Sequence, residues 1–291
     1  MTPTRSTRGF ALLMVLLVVA LAGTVLAMAA RRSCTLATEA AAAQQRLQTD
    51  WGAQSIRASL LPKAEAVLAA DTPEKGRAPA SARRALVLGG VRFNLLFGDE
   101  QAKANVNLLE QRHGHQGLDM RLQTLQEDPR QRVRVDLRPG PDQPVARGAP
   151  PMRYWSLDQV FLFSRPADLV DAGATCAATG PITLWSSGPV NFRRASRAVL
   201  REVLAGAMPD SQIEELVRAA ETSPRESLGD ALRQAGGDGR QMQAARQLLA
   251  ETSACHSLWV VAHGTTRNWY RLYVERAGET KNGPTGWAFE W

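Results

Sequence analysis

Side chains able to do chemistry are sparse in this chain and stand mostly apart from one another. His113-Gly-His115 could offer two imidazoles to a metal, yet no cysteine or carboxylate pair follows at a familiar ligand spacing, and a solvated loop accounts for the two histidines as well. Cys255 and His256 are adjacent. On a strand, adjacent side chains leave opposite faces, so this thiol and this imidazole do not meet as nucleophile and base. His256 and His263 flank a strand, and Asp99 and Glu100 read as turn residues. No glycine-rich loop suited to cradling a phosphate occurs. The expectation is a protein that is not an enzyme, with no catalytic residue and no metal ligand.

Composition narrows the choice further. The 291 residues are 44% hydrophobic and 22% charged, an ordinary globular balance that excludes collagen-like and fully disordered chains. A net charge of +7 invites phosphate binding. The arginines, however, are spread along the chain, and Lys63, Lys75, Lys103 and Lys281 are the only lysines, so no basic patch is built and no nucleic acid is expected as a partner. Three cysteines, with no Cys-x-x-Cys among them, suit neither a disulfide scaffold nor a zinc site.

What must position the few special residues is set by the N-terminus. Met1 to Gly9 is short, polar and basic, and from Phe10 to Ala30 no charge occurs. As a helix rising about 1.5 Å per residue, that run spans roughly 30 Å, the thickness of a hydrocarbon core. Three fates fit such a segment. A cleaved secretory signal would use Ala27-Met28-Ala29, although Arg31-Arg32 directly after the cut opposes export. An uncleaved anchor has arginines at both ends, Arg5 and Arg8 against Arg31 and Arg32, which leaves its orientation open. The third is a leader cut before the apolar run.

The residues Arg8-Gly9-Phe10-Ala11-Leu12-Leu13 resemble the processing site of type IV pilin-like proteins, in which a membrane peptidase cuts after glycine and methylates the new N-terminus. The resemblance implies that Gly9 ends the leader, that Phe10 begins the mature chain and carries the methyl group, and that Met14 holds the fifth mature position. Most such proteins have Glu there; K-type minor pseudopilins of type II secretion systems resemble this chain in lacking it. Lys103-Ala-Asn-Val-Asn-Leu108 resembles the Asn-Leu-Asn strand that precedes the inserted domain of K-type pseudopilins. Ile182 to Leu200 resembles the strand leading into their helical hairpin.

Around these motifs the pattern predicts a leader at 1–9, a membrane-spanning helix at 10–30 and its exported continuation at 31–70, kinked or restarted at Pro62 and ended by Asp71-Thr-Pro73. A linker from Asp71 to Arg84 leads to strands alternating over Val91–Leu95 and Ala104–Leu108, with Gly89-Gly90 as the turn before them. First strands and the start of an insert occupy 85–137, with a helix at Leu118–Gln126 and a strand at Arg132–Leu137. A helical domain fills 152–251. Ser156 and Ser223 head capping boxes there, and a hairpin of two amphipathic helices surrounds Ala207-Met-Pro209. Two strands, Ser257–His263 and Asn268–Glu275, fall in the last segment, 257–291. The fold class is therefore α+β: a pilin-like long N-terminal transmembrane helix packed on a small antiparallel sheet, with an inserted helical domain.

With that family in view, the expected function is that of a non-catalytic minor pseudopilin at or near the tip of a type II secretion pseudopilus. It would be single-pass in the inner membrane with its C-terminal domain in the periplasm. Its partners would be other minor pseudopilins, met through the N-terminal helix and head, together with the prepilin peptidase and the inner membrane. A minor pilin-like subunit of another type IV filament shares every N-terminal feature, and a bitopic inner-membrane protein with a periplasmic binding domain remains an alternative. No cofactor is expected. Some K-type relatives bind calcium, but their acidic loop has no residue-by-residue counterpart here, so no ligand is assigned. In an oxidising compartment Cys176 and Cys255, each adjoining a region that returns to the head, are expected to form a disulfide that leaves Cys34 free.

Overall fold

The computed structural model describes residues 8–73, 77–126, 134–140, 153–162, 180–223, 226–264, 268–277 and 285–290. The chain divides into two compact units, Met1–Trp51 and Gly52–Trp291.

In the first unit every described residue lies on α1 (Arg8–Leu60), whose last turns, from Gly52 onward, belong to the second. Alanine, leucine and glutamine favour a helix, and no proline occurs between Arg8 and Pro62. There α1 gives way to a 3-10 turn, Leu61–Lys63, and restarts as α2 (Ala64–Ala70), as the sequence predicts.

The second unit is built on a five-stranded sheet. β1 (Ser81–Leu88) and β2 (Val91–Asp99) form a hairpin whose two turn residues, Gly89 and Gly90, both have positive φ, +59° and +81°. That conformation follows the right-handed twist of the strands and is open to glycine at little cost. After β2 the chain leaves the sheet through β3 (Ala104–Asn105) and α3 (Val106–Leu125), then β4 (Ile182–Thr183) and β5 (Val190–Asn191). The helices α4 (Arg197–Leu204), α5 (Asp210–Thr222), α6 (Leu228–Gln234) and α7 (Gly239–Leu248) follow. The chain returns through β6 (Leu249–Ala250) into β7 (Cys255–His263), β8 (Asn268–Arg276) and β9 (Thr285–Glu290). The sheet order is β1-β2-β7-β8-β9, antiparallel throughout, so the inserted helices lie in sequence between two strands that pair directly.

Alternation along the strands gives the sheet two apolar faces. Val91, Phe93, Leu95 and Phe97 of β2, with Leu258, Val260 and Ala262 of β7, pack on Ala53 and Ile56 of α1, Leu61 of the 3-10 turn, and Ala64 and Leu68 of α2. A Cβ added at Gly52 would lie 2.4 Å from the ring of the fully buried Phe93, so helix and strand approach there as closely as glycine permits. The other face, with Trp259, Leu272 and Val274, joins a core formed by α3 to α7, in which Val199, Leu200, Leu204, Ile213, Leu216 and Val217 of the predicted hairpin are all buried.

Several local expectations change. The first strand begins at Ser81, inside the segment read as linker, because Ala82, Arg84 and Leu86 pair with Phe97, Leu95 and Phe93. Alternation at Ala104–Leu108 is strand for two residues only. Asn105 accepts hydrogen bonds from the Asn107 and Leu108 amides and caps α3, so helix replaces strand from Val106. Ser223 is the C-cap of α5, its amide bonded to the Ala219 carbonyl, and the cap of the next helix is Ser227. Ser156 does head a capping box, on a single 3-10 turn, Leu157–Gln159. Of the strand read at Arg132–Leu137, the described residues form one bridge, Val135 to Phe161, and positions 132 and 133 lie outside them.

Candidate functional site

Gly9 and Phe10 lie in the first turn of α1. Phe10 is 67% exposed, and Met14, one turn on and on the same side, 47%. The large apolar side chains from Leu12 to Met28 stand equally bare. Thr24, the one hydroxyl in the run, donates to the Leu21 carbonyl at 2.8 Å, so the segment asks nothing polar of its surroundings. With a mean hydropathy of 2.8 over its most apolar stretch, this helix is long and apolar enough to cross a membrane.

His113 and His115 are not in a loop. They sit within α3 on either side of Gly114, whose φ of +68° kinks the helix, and the kink sends the two rings to different carboxylates. His113 Nε2 lies 3.3 Å from Glu202 of α4, and His115 Nδ1 lies 3.6 Å from Glu110. Each carboxylate also has an arginine, Arg121 on Glu202 and Arg153 on Glu110. The arrangement holds two nearly buried glutamates in ion pairs and does not converge on one point. Burial, with Glu110 beside it, pushes the Tyr154 phenol far above its ordinary range.

Cys255 is buried on one face of β7, its thiol 3.6 Å from the Trp185 carbonyl, while His256 emerges on the other face toward Glu65, the separation expected of adjacent strand residues. Burial pushes the thiol's pKa up, the nearby Glu100 adding to the shift. Cys176 lies outside the described residues. Cys34 is exposed on α1.

The least anticipated feature is at Asp99 and Glu100, which are both essentially buried. Asp99 Oδ1 accepts from the Gln101 and Ala102 amides. Its Oδ2 accepts from Asn191 Nδ2 at 3.0 Å, from Ser253 Oγ and from Arg194 Nη1 at 3.3 Å. Glu100 accepts from Lys103 Nζ and Ser257 Oγ, each at 2.6 Å, and from Thr183 Oγ1. Arg194 also grips Glu65 of α2 with both nitrogens, at 2.7 and 2.8 Å, and His256 Nε2 approaches the same carboxylate at 3.2 Å. Hydrogen bonding to His256, with Arg194 adding to it and burial opposing, lowers the Glu65 carboxyl to about 2. Burial lowers the Arg194 pKa, but its pairs with Glu65 and Asp99 outweigh that and raise it. This knot ties α2, the ends of β2 and β7, and the start of the helical insert together. The available sequence signal was that the two acids come at the end of a strand of alternating apolar residues, Val91, Phe93, Leu95 and Phe97.

A second polar tie lies beside it. Asn107 Oδ1 accepts from the amides of Arg153 and Tyr154, and its Nδ2 donates to the carbonyls of Tyr154 and Leu184. Asn105 Nδ2 donates to the Ser186 carbonyl at 2.9 Å. The Asn-Val-Asn motif thus holds two distant stretches of backbone, Arg153-Tyr154 and Leu184 to Ser186.

These features define an α+β protein whose first helix has the composition of a membrane span and whose polar clusters serve to fasten elements together. No family model matches the sequence, and no curated protein matches it. Among solved structures, a chain in the GspK–GspI–GspJ complex from the type 2 secretion system of enterotoxigenic Escherichia coli is similar. Identity is 15% and the TM-score 0.47, and the match covers 87% of this chain and 99% of that one.

Proposed function

We propose that this chain is a K-type minor pseudopilin: a non-catalytic subunit, processed at an inner membrane, that takes its place at or near the tip of a type II secretion pseudopilus and supports protein export. The supporting observation is Arg8-Gly9-Phe10 at the head of a bare apolar helix that runs unbroken into the turns packed on an antiparallel sheet. In this reading a prepilin peptidase cuts after Gly9 and methylates Phe10, and the second unit lies in the periplasm. The apolar run from Phe10 to Ala30 leaves lipid for a bundle formed with the helices of other minor pseudopilins. A neutral Met14 suits a subunit that begins such a bundle, because a carboxylate with no neighbouring ammonium to meet would be costly there.

N-terminal mass spectrometry of the chain purified from membranes tests this reading. A methylated Phe10 end is expected, and Gly9→Val should leave the precursor uncut. An intact Met1 end, or an end after Ala29, in the wild-type protein would sink the assignment.

A further inference from the structure

Arg31 and Arg32 follow the apolar run with no residue between, and both are exposed. On a helix a side chain meets those three and four positions away. For Arg31 these are Ala27, Met28, Cys34 and Thr35, and for Arg32 they are Met28, Ala29, Thr35 and Leu36; none carries a charge. The first carboxylate beyond the run is Glu39, about 11 Å farther along the axis at the usual rise per residue. The helix therefore supplies these two cations with no counter-charge. Being consecutive, they also point about 100° apart, so one neighbouring helix would not face both. A plane of phosphates surrounding the helix would. The run from Phe10 to Ala30 is roughly 32 Å long as a helix, which sets the guanidinium groups at the level where hydrocarbon ends and headgroups begin. Their planar forks match phosphate oxygens in pairs.

We propose that Arg31 and Arg32 bind phospholipid phosphates at one face of the bilayer and so fix the depth at which α1 rests. This rests on the helix crossing a membrane, and not on cleavage after Gly9. The geometry supplies its own reporter: Cys34, an exposed thiol three residues beyond Arg31. The test uses the full chain reconstituted in vesicles of phosphatidylglycerol and phosphatidylethanolamine. The probe is an uncharged poly(ethylene glycol) maleimide too large to enter the bilayer, with labelling read at Cys34 by peptide mass spectrometry.

The wild-type chain is expected to label about fivefold faster, or more, than Arg31→Gln/Arg32→Gln, whose thiol sinks toward the hydrocarbon. Arg31→Lys/Arg32→Lys should keep most of the wild-type rate. In vesicles of a neutral galactolipid without phosphate the difference should vanish, and added inorganic phosphate should leave it standing. Equal rates in the phospholipid vesicles would overturn the proposal, as would a difference that persists in galactolipid or is abolished by inorganic phosphate. The single variants Arg31→Gln and Arg32→Gln, each expected to fall between, decide the matter if the double variant does not insert. Wild-type protein stripped from the vesicles by alkaline carbonate would instead count against the membrane-spanning reading itself.

Discussion

At the residue scale, the chain spends its buried charges on fastening. Asp99, Glu100 and Arg194 would each be costly alone in a core, and their mutual bonds make burial tolerable. Glu65 offers a direct measure of this, because its folded pKa is lowered from the usual 4.5 to about 2. A lowered carboxyl contributes stability that is present above its unfolded value and lost as pH falls toward the folded one. Glu65→Gln should therefore be less stable than wild type near neutral pH, by on the order of 1 kcal/mol, since about half of the carboxylate faces water and is screened. That gap should close between pH 4.5 and pH 2. Urea titrations of both proteins across this range check it; a gap independent of pH would mean that the pair stabilises nothing through charge. Asp99 and Glu100 look like turn residues in the sequence because the same two acids would serve equally well in water. The water is removed by residues far along the chain, Thr183, Asn191 and Arg194 of the insert together with Ser253 and Ser257 beside β7.

At the scale of elements, long periodic runs were legible and short ones were not. The hairpin of α4 and α5 and the strands β7 and β8 follow from apolar spacing, which burial enforces over many residues, and the restart at Pro62 follows from the proline itself, whereas β9 was not read from the sequence. β1 was hidden because it lies at the sheet edge with most of its side chains exposed, so Arg83-Arg84 interrupts any alternation. Asn105 misled because a capping residue takes the same extended backbone as a strand residue, and its partners lie far along the chain. Asn107 shows what such a residue contributes. Replacing it with alanine leaves two amides and two carbonyls without that partner in a buried site, so Asn107→Ala should cost about 3 kcal/mol. A fall in the urea midpoint with an unchanged slope is the expected signature.

At the scale of the molecule, the sheet's apolar core takes its helical residues from Gly52 onward, within the second unit. A chain beginning at Gly52 should accordingly be soluble without detergent and unfold in one cooperative step, which circular dichroism and sedimentation would show. Aggregation of that fragment, or gradual melting, would mean that its core depends on residues before Gly52. The division into units was only partly legible. Composition marks where the apolar run stops at Ala30, whereas the start of the second unit depends on which helical turns meet Phe93, and that contact is made across about forty residues of sequence.

The position of β2 between β1 and β7 also governs how the molecule comes into being. The register sets Asn94 beside Val261, 167 residues later in the chain. During synthesis β1 and β2 emerge as an isolated hairpin, marginal by itself, with one edge and both apolar faces incomplete until the whole insert and β7 have followed. Carboxylates destined for the knot wait equally long, still hydrated. The last stretch of chain thus completes the sheet, and the period before its arrival is when the protein has most need of a chaperone to keep copies apart.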